Sequence, residues 1–163
     1  MKTSAATLLA AALATGCSAA QSNDSRQPET TVQAYGLSIS VPAGWEARVY
    51  RLSPQYAITL EAASVGLPPR GQLMTGDRLR TGDAYIRIDD IGPPLVYEVR
   101  LSISVDPEDI GGPYEGGFPA GGFAAVIDDR DLMIRVRFGS QPDEREIDAV
   151  QRVLASFSAT PLP

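Results

Sequence analysis

The sequence predicts an α+β domain in which one C-terminal helix packs on one face of a mostly antiparallel β-sheet. Two observations indicate this fold class. Residues 35–138 contain several short segments in which apolar and polar side chains alternate, separated by turns rich in Gly, Pro and Asp, as is typical of antiparallel strands. Apolar residues then recur at every third or fourth position in residues 140–157, as on a helix that covers a sheet.

The first strands follow directly from this alternation. Residues 35–41 alternate between apolar side chains and Gly or Ser, and a turn at residues 42–44 separates them from a strand that starts at Trp45. Residues 57–63 and 85–90 are the next strand candidates. Two Thr-Gly-Asp triplets between them predict turns, because Gly permits a positive φ and Asp caps the local backbone.

The second half of the domain predicts further strands and the helix. Residues 95–105 alternate most regularly, which predicts a long, half-exposed antiparallel strand. Residues 123–127 and 132–138 predict a hairpin with an acidic tip at residues 128–131. The helix begins in the segment SQPD at residues 140–143, with Pro in its first turn. Its predicted apolar stripe consists of Ile147, Val150, Leu154 and Phe157.

The N-terminal segment predicts export and lipid attachment. Lys2 precedes an apolar run that ends in small residues before Cys17, the only cysteine, and this order resembles the bacterial lipobox. We expect residues 1–16 to be a signal peptide and the mature chain to begin at a lipidated Cys17. An ordinary cleaved signal and a membrane-spanning anchor are the alternatives. Polar residues soon after Cys17 disfavour a span, which takes roughly 20 apolar residues.

The rest of the chain divides into a tether, one domain and a tail. Residues 17–34 comprise the lipidated cysteine and a polar segment without apolar periodicity, which predicts a flexible tether. Residues 35–159 form a single globular domain, long enough to bury one core. Residues 160–163 are a short tail. This organisation places the domain on the extracytoplasmic face of the cell membrane or outer envelope.

Composition excludes several classes of chemistry. The chain has no histidine, and its one cysteine is assigned to lipid attachment. Ser-His-Asp and Cys-His catalysis, histidine-based zinc sites and disulfide frameworks are therefore excluded. We predict no catalytic residue, no metal and no cofactor. The net charge of −6 and the lack of a basic stripe also disfavour nucleic acid as a partner.

The first candidate binding site is rich in glycine. Residues 111–122 contain three Gly-Gly pairs, which predicts an irregular loop. Long irregular loops in compact domains are usually functional or mobile. The loop could display Tyr114 and Phe118 to a partner, a polysaccharide or a small molecule. A structural or merely flexible segment is the alternative and the favoured interpretation.

The second candidate binding site lies on the predicted hairpin. Arg135 and Arg137 point away from the core if the alternation holds. Arg87 and Arg100 would join them in a basic strip if their strands are neighbours, and such a strip could hold an acidic ligand or partner. Pairing of these arginines with Glu98 and other acids across strands is the alternative.

Two other features leave their roles open. Acidic clusters at residues 89–90, 106–109 and 128–131 could bind a divalent cation, but none has the spacing of an EF-hand loop. Solvated turn ends are the alternative for these clusters. Trp45 either fills the edge of the core or contacts a sugar or peptide.

Several segments carry a resemblance to a known group of proteins. These are VPAGW at 41–45, LEAA at 60–63, LPP at 67–69, TGDAYI at 81–86, FGS at 138–140 and VLASF at 153–157. Together they resemble an uncharacterised family of exported proteins and lipoproteins from high-GC Gram-positive bacteria. The layout is also distantly similar to the PsbP-like fold. The resemblance implies a location and a shape, and it implies no catalytic residue.

The favoured interpretation is a lipid-anchored, non-catalytic module that binds or scaffolds a partner in the cell envelope. The partner would be an envelope protein or a polysaccharide, and the membrane itself is a partner through the lipid. One alternative is a small-ligand carrier, which needs an apolar cavity between sheet and helix. The other is a hydrolase that uses carboxylates alone, which needs two acids that converge in a pocket.

Overall fold

The computed structural model describes residues 29–54, 57–91, 99–100, 111–114 and 118–160. Within them the chain forms strands in two sheets and one α-helix, and this confirms the predicted α+β class. The strands are β1 (Glu29–Ala34), β2 (Leu37–Pro42), β3 (Glu46–Arg51), β4 (Ile58–Ala63), β5 (Ala84–Asp90), β6 (Val99–Arg100), β7 (Gly111–Tyr114), β8 (Phe118–Ile127), β9 (Arg130–Phe138) and β10 (Ser158–Ala159). The helix α1 spans Glu144–Ala155, and a short 3₁₀ helix spans Gly76–Arg78.

The larger sheet has the strand order β3-β4-β5-β9-β8-β6, and β7 pairs with β8 as well. The smaller sheet has the order β1-β2-β10. All pairs are antiparallel except β6 with β8, which is parallel. The strand predicted over residues 95–105 is present at Val99–Arg100, but its predicted antiparallel pairing is wrong because β6 runs parallel to β8. The rest of residues 95–105 lies outside the described residues.

The main core lies between one face of the larger sheet and a layer formed by β2, β10 and α1. Alternate residues of β4, β5, β8 and β9 supply one side of it, as their period-two patterns predict. The other side is supplied by alternate residues of β2 and by buried residues of the helix. Its members include Leu37, Ile39, Val41, Leu60, Ile86, Ile88, Leu132, Ile134, Phe138, Val150, Val153 and Leu154.

The helix starts at Glu144, two residues too late for Pro142 to lie in its first turn. Asp143 is the N-cap, so Pro142 precedes the helix. The side chain of Asp143 accepts from the backbone N–H of Glu146, and the side chain of Glu146 accepts from the backbone N–H of Asp143, which completes a capping box. Phe157, predicted in the helical stripe, lies beyond the helix end but still packs against the core.

Part of the predicted tether is a strand. Residues 29–34 form β1, which pairs with β2 along its whole length. Tyr35 and Gly36 have φ values of 53° and 74° and connect the two strands, as in a two-residue hairpin turn. They are therefore a turn and not the start of the predicted first strand. The β-branched Thr30, Thr31 and Val32 favour the extended backbone of β1.

The glycine-rich segment is also partly extended. Gly111–Tyr114 and Phe118–Ile127 are strands, with Gly111 opposite Ala120 and Tyr114 opposite Phe118. The prediction of an irregular loop over residues 111–122 is therefore wrong for these strands. Their pairing contains a register shift, and irregular pairing is where a sheet tolerates glycine.

The predicted hairpin is present with a tight turn. Asp128 and Asp129 are exposed and have φ values of 50° and 62°, the conformation of a type I′ turn. Arg130 directly follows them and is only 4% exposed. The tip is therefore acidic at its two exposed residues, whereas Arg130 belongs to the interior.

Candidate functional site

The candidate site lies on the face of the larger sheet that is turned away from the main core. Side chains alternate between the two faces of each strand, so the neighbours of the core residues of β3, β4, β5 and β9 lie on this face. Several of them are charged. We call six of these residues the arginine cluster. They are Arg48, Glu61, Arg87, Asp89, Arg135 and Arg137.

Glu61 is at one end of the arginine cluster and is completely buried. Its Oε2 accepts hydrogen bonds from Arg48, including one of 2.8 Å from Nε. Its Oε1 accepts a 2.8 Å hydrogen bond from the Tyr85 hydroxyl and lies 3.6 Å from Arg87 Nη1. A buried carboxylate is tolerated here because cations and a hydroxyl surround it.

Asp89 joins the middle of the arginine cluster to β9. Both of its oxygens lie 2.9 Å from Arg87 Nε, and its Oδ2 accepts a 2.7 Å hydrogen bond from Arg135 Nη1. The hydroxyl of Thr59 donates to Oδ1 over 2.7 Å. Arg87 and Arg135 lie directly opposite each other on β5 and β9, so the Asp89 carboxylate separates two like charges that would otherwise repel.

The arginine cluster contains more cations than anions. It has four guanidinium groups and two carboxylates; Arg48, Arg87 and Arg135 contact the carboxylates, whereas Arg137 donates to the backbone carbonyl of Met74 over 2.6 Å. Arg87 Nη1 is buried and has no hydrogen-bond partner. Glu46 and Asp131 have the same orientation on β3 and β9 but lie at the strand ends. An additional acceptor would therefore be stabilised near Arg87 and Arg135.

The network shifts two acid–base equilibria. Burial, followed by the nearby Glu61 carboxylate, raises the pKa of the Tyr85 phenol far above its usual range. Burial lowers the pKa of the Arg87 guanidinium, but hydrogen bonds and charge attraction from Asp89 outweigh this and raise it. Tyr85 is therefore a permanent donor, and Arg87 a permanent cation.

The structure brings only some of the predicted site residues together. Arg135 and Arg137 belong to the arginine cluster with Arg87, whereas Arg100 lies on β6, two strands away from β9. The predicted alternative, in which acids pair with these arginines, holds for Asp89 and Glu61. Glu98 and Cys17 lie outside the described residues.

Tyr114 and Phe118 are opposite each other across β7 and β8. Tyr114 is the last residue of β7 and Phe118 is the first residue of β8, and the described pairing does not place them in the arginine cluster. Their proposed role in binding stays a prediction.

The acidic clusters differ from the prediction where they are described. Asp89 and Asp90 are the last residues of β5 and not a turn, and each is paired with an arginine. Among the described residues, no group of three acidic side chains is arranged to hold a metal ion. Residues 106–109 lie outside the described residues.

A groove of about 390 Å³ lies on the opposite side of the larger sheet, where the start of α1 meets the turn before β5. It is open to solvent and is not the enclosed apolar cavity expected of a small-ligand carrier. Trp45 lines the groove and also packs against the main core. Other residues that line the groove include Thr81, Gly82, Ser140, Gln141 and Glu146.

Neither a protein-family model, nor a curated protein, nor a solved structure matches the chain. In the part of the chain that the structure describes, no helix has both the length and the apolar character needed to cross a membrane.

The sequence alone missed Arg48, Glu61 and Tyr85 as members of one network. The signal was present in the alternation of β4 and β5, which places Glu61, Tyr85 and Arg87 on one face. Alternation does not reveal strand order, however, and the contacts depend on β3, β4, β5 and β9 being consecutive neighbours.

Proposed function

We propose that the protein is a lipid-anchored, non-catalytic binding module of the cell envelope, and that its arginine cluster binds an acidic segment of an envelope protein. The observation that carries this proposal is the exposed guanidinium group of Arg135, which shares the acceptor Asp89 with Arg87. A carboxylate from a partner would supply Arg135 with an acceptor of its own.

Accessibility supports this assignment. The side chain of Arg135 is 41% exposed, whereas that of Arg87 is 15% exposed, so a partner carboxylate can reach Arg135 directly. Because the two guanidinium groups share Asp89, a second carboxylate on Arg135 would give them one acceptor each. A carboxylate bound to a guanidinium group makes charge-assisted hydrogen bonds, which are stronger than neutral ones.

The overall charge favours a short acidic segment over a long polyanion. The chain carries a net charge of −6, which repels an extended polyanion such as nucleic acid. The arginine cluster is a local excess of positive charge and can attract one or two carboxylates at close range. Such local complementarity gives specificity more than affinity.

The membrane anchor follows from the segment that ends at Cys17. Signal peptidase cleavage before this residue and attachment of acyl chains would tie the module to the membrane. More than one chain exceeds the threshold for stable attachment, since each buried CH₂ contributes about 0.8 kcal/mol.

Calorimetric titration of the full-length protein in detergent with a hexaglutamate peptide tests the binding site. We expect saturable binding that weakens about tenfold or more in Arg135→Gln, the range for a lost charge-assisted hydrogen bond. Arg135→Lys keeps the charge and should lose less. Arg152→Gln, in the last turn of α1, is the matched control and should bind normally. Equal binding by Arg135→Gln and the unaltered protein would exclude this site.

Mass spectrometry of the N-terminal peptide tests the anchor separately. The peptide from the unaltered protein should begin at Cys17 and carry acyl chains, and Cys17→Ala should leave the membrane fraction. An unmodified N-terminus would refute the anchor without affecting the titration result.

A further inference from the structure

We propose that the groove beside Trp45 is a saccharide-binding site that takes an uncharged sugar ring. The groove lies on the core side of the larger sheet, away from the arginine cluster, so this inference does not depend on the proposed function. Its volume of about 390 Å³ is at the lower end of the range for small-molecule sites, about 300–1,000 Å³. A site of this size suits one or two sugar rings rather than an extended chain.

The walls of the groove are held together before any ligand arrives. The backbone N–H of Gly139 donates to the carbonyl of Asp83 over 3.0 Å, and the carboxylate of Asp83 accepts from the N–H of Arg80. A Cβ on Gly139 would lie 1.9 Å from the carbonyl oxygen of Arg80, so the two segments are in close backbone contact. A preformed site binds at a lower cost in ordering.

Trp45 provides an apolar surface at one side of the groove. It follows a turn in which Gly44 has a φ of 88°, and its backbone N–H donates to the Pro42 carbonyl over 3.1 Å. Its ring is half-buried and packs against the core. This packing fixes an indole that still lines the groove. The C–H groups of one face of a sugar ring can pack on such a surface.

The polar groups of the groove match sugar hydroxyls, which both donate and accept. Thr81, Ser140 and Gln141 contribute hydroxyls and an amide with both capacities, and none of these side chains bonds to another described residue. Gly82 has a φ of 90°, and a Cβ there would still lie 3.9 Å from Glu146 Oε1. The missing side chain therefore leaves space in front of that carboxylate oxygen, which can accept from a hydroxyl.

Charge selects against acidic ligands in this groove. Asp143 and Glu146 contribute two carboxylates, and Arg145 contributes one guanidinium. Asp143 uses one oxygen and Glu146 uses Oε2 in the capping box, so both carboxylates stay in place. An anionic sugar would meet net negative charge, whereas a neutral sugar would meet only hydrogen-bonding groups.

Fluorescence titration of the full-length protein tests this proposal, because Trp45 is the only tryptophan. The probes are glucose, N-acetylglucosamine, maltose and N,N′-diacetylchitobiose at millimolar concentration. We expect at least one of them to change the emission saturably and to protect the indole from a soluble quencher. No change with any of the four would overturn the proposal.

Variants locate the binding. Thr81→Val and Gln141→Ala should each lower the affinity for the sugar by about three- to tenfold, as expected for one lost hydrogen bond. Both positions are exposed, so folding is preserved, and the melting temperature checks this. Thr30→Val and Gln33→Ala, at exposed positions of β1, are the matched controls and should not change binding. Binding that is insensitive to Thr81→Val and Gln141→Ala would overturn the location, and equal binding of trialanine would overturn the ligand class.

Discussion

Arg130 donates from Nη2 to Asp90 Oδ2 over 2.6 Å, and a second hydrogen bond of 3.0 Å runs from Nε to the same oxygen. The side chains are only 3% and 8% exposed. Arg130 Nη1 also donates to the backbone carbonyls of Tyr35 and Thr160. One guanidinium therefore links the first hairpin, the end of β5 and the end of the described domain.

Asp90→Asn should strongly destabilise the fold. The substitution keeps the size of the side chain but leaves the buried Arg130 guanidinium without a counter-charge. Removing one partner of a buried ion pair typically costs about 3–5 kcal/mol. Urea unfolding should show a lower midpoint with an unchanged m-value.

Asp129→Asn is the matched control, because Asp129 is exposed in the adjacent turn and Asn also tolerates a positive φ. It should change the free energy of unfolding by less than about 0.5 kcal/mol. Equal effects of the two substitutions would show that the ion pair does not stabilise the domain.

Gly139→Ala should destabilise the protein because of a backbone contact. The added methyl group would lie 1.9 Å from the Arg80 carbonyl oxygen, so the two segments would have to separate. Overpacking costs about 1–3 kcal/mol, and the rigid backbone places this substitution at the upper end. Thermal unfolding measures the loss.

The control for Gly139→Ala is Gly66→Ala. A Cβ on Gly66 meets no atom within 4 Å, and the substitution should be neutral or stabilising by up to about 1 kcal/mol, because it restricts the unfolded chain. A melting temperature for Gly139→Ala that equals that of Gly66→Ala would contradict the close contact.

The strands that form the core could be predicted because their alternation is regular. Leu132, Ile134, Val136 and Phe138 alternate with polar side chains, and each is buried in β9. The helix could also be predicted, because its apolar residues recur at helical spacing and Asp143 starts a capping box. Local periodicity thus determines the type of these elements.

The contacts between strands could not be predicted, because they depend on order and register. Arg130 lies among three aspartates in the sequence and pairs with Asp90, 40 positions earlier. Nothing local distinguishes it from a solvated turn residue. The glycine-rich first half of β8, residues 118–122, was missed for the opposite reason, since pairing with β9 overrides a weak local preference.

The N-cap of α1 should contribute measurably to stability. Asp143→Ala removes both the acceptor for the Glu146 N–H and a negative charge at the helix N-terminus, which should cost about 1 kcal/mol. Asp148→Ala, at an exposed position within α1, removes the same group from the helix interior. It should be neutral or stabilising because Ala has the higher helix propensity. Chemical denaturation measures the free energy of unfolding of both variants. An equal loss of stability in Asp143→Ala and Asp148→Ala would argue against the capping role.

Tyr85 should make the fold sensitive to alkali. Its phenol is buried beside Glu61, and this raises its pKa in the folded state above the ordinary value of 10.0. The neutral phenol is therefore favoured by folding. Its contribution is fully present below about pH 10 and declines as the pH rises further, because the unfolded chain then loses the proton that the folded chain retains.

Two measurements check this behaviour. The tyrosinate absorbance should show a late titration step that coincides with unfolding, and Tyr85→Phe should remove that step. Above about pH 10, the free energy of unfolding of the unaltered protein should fall more steeply than that of Tyr85→Phe, by up to about 1.4 kcal/mol per pH unit. Tyr35→Phe, at a 52% exposed position, is the control and should leave the late step in place. A late step that persists in Tyr85→Phe would show that another phenol is responsible, and the buried Tyr85–Glu61 hydrogen bond would then not control the alkaline response.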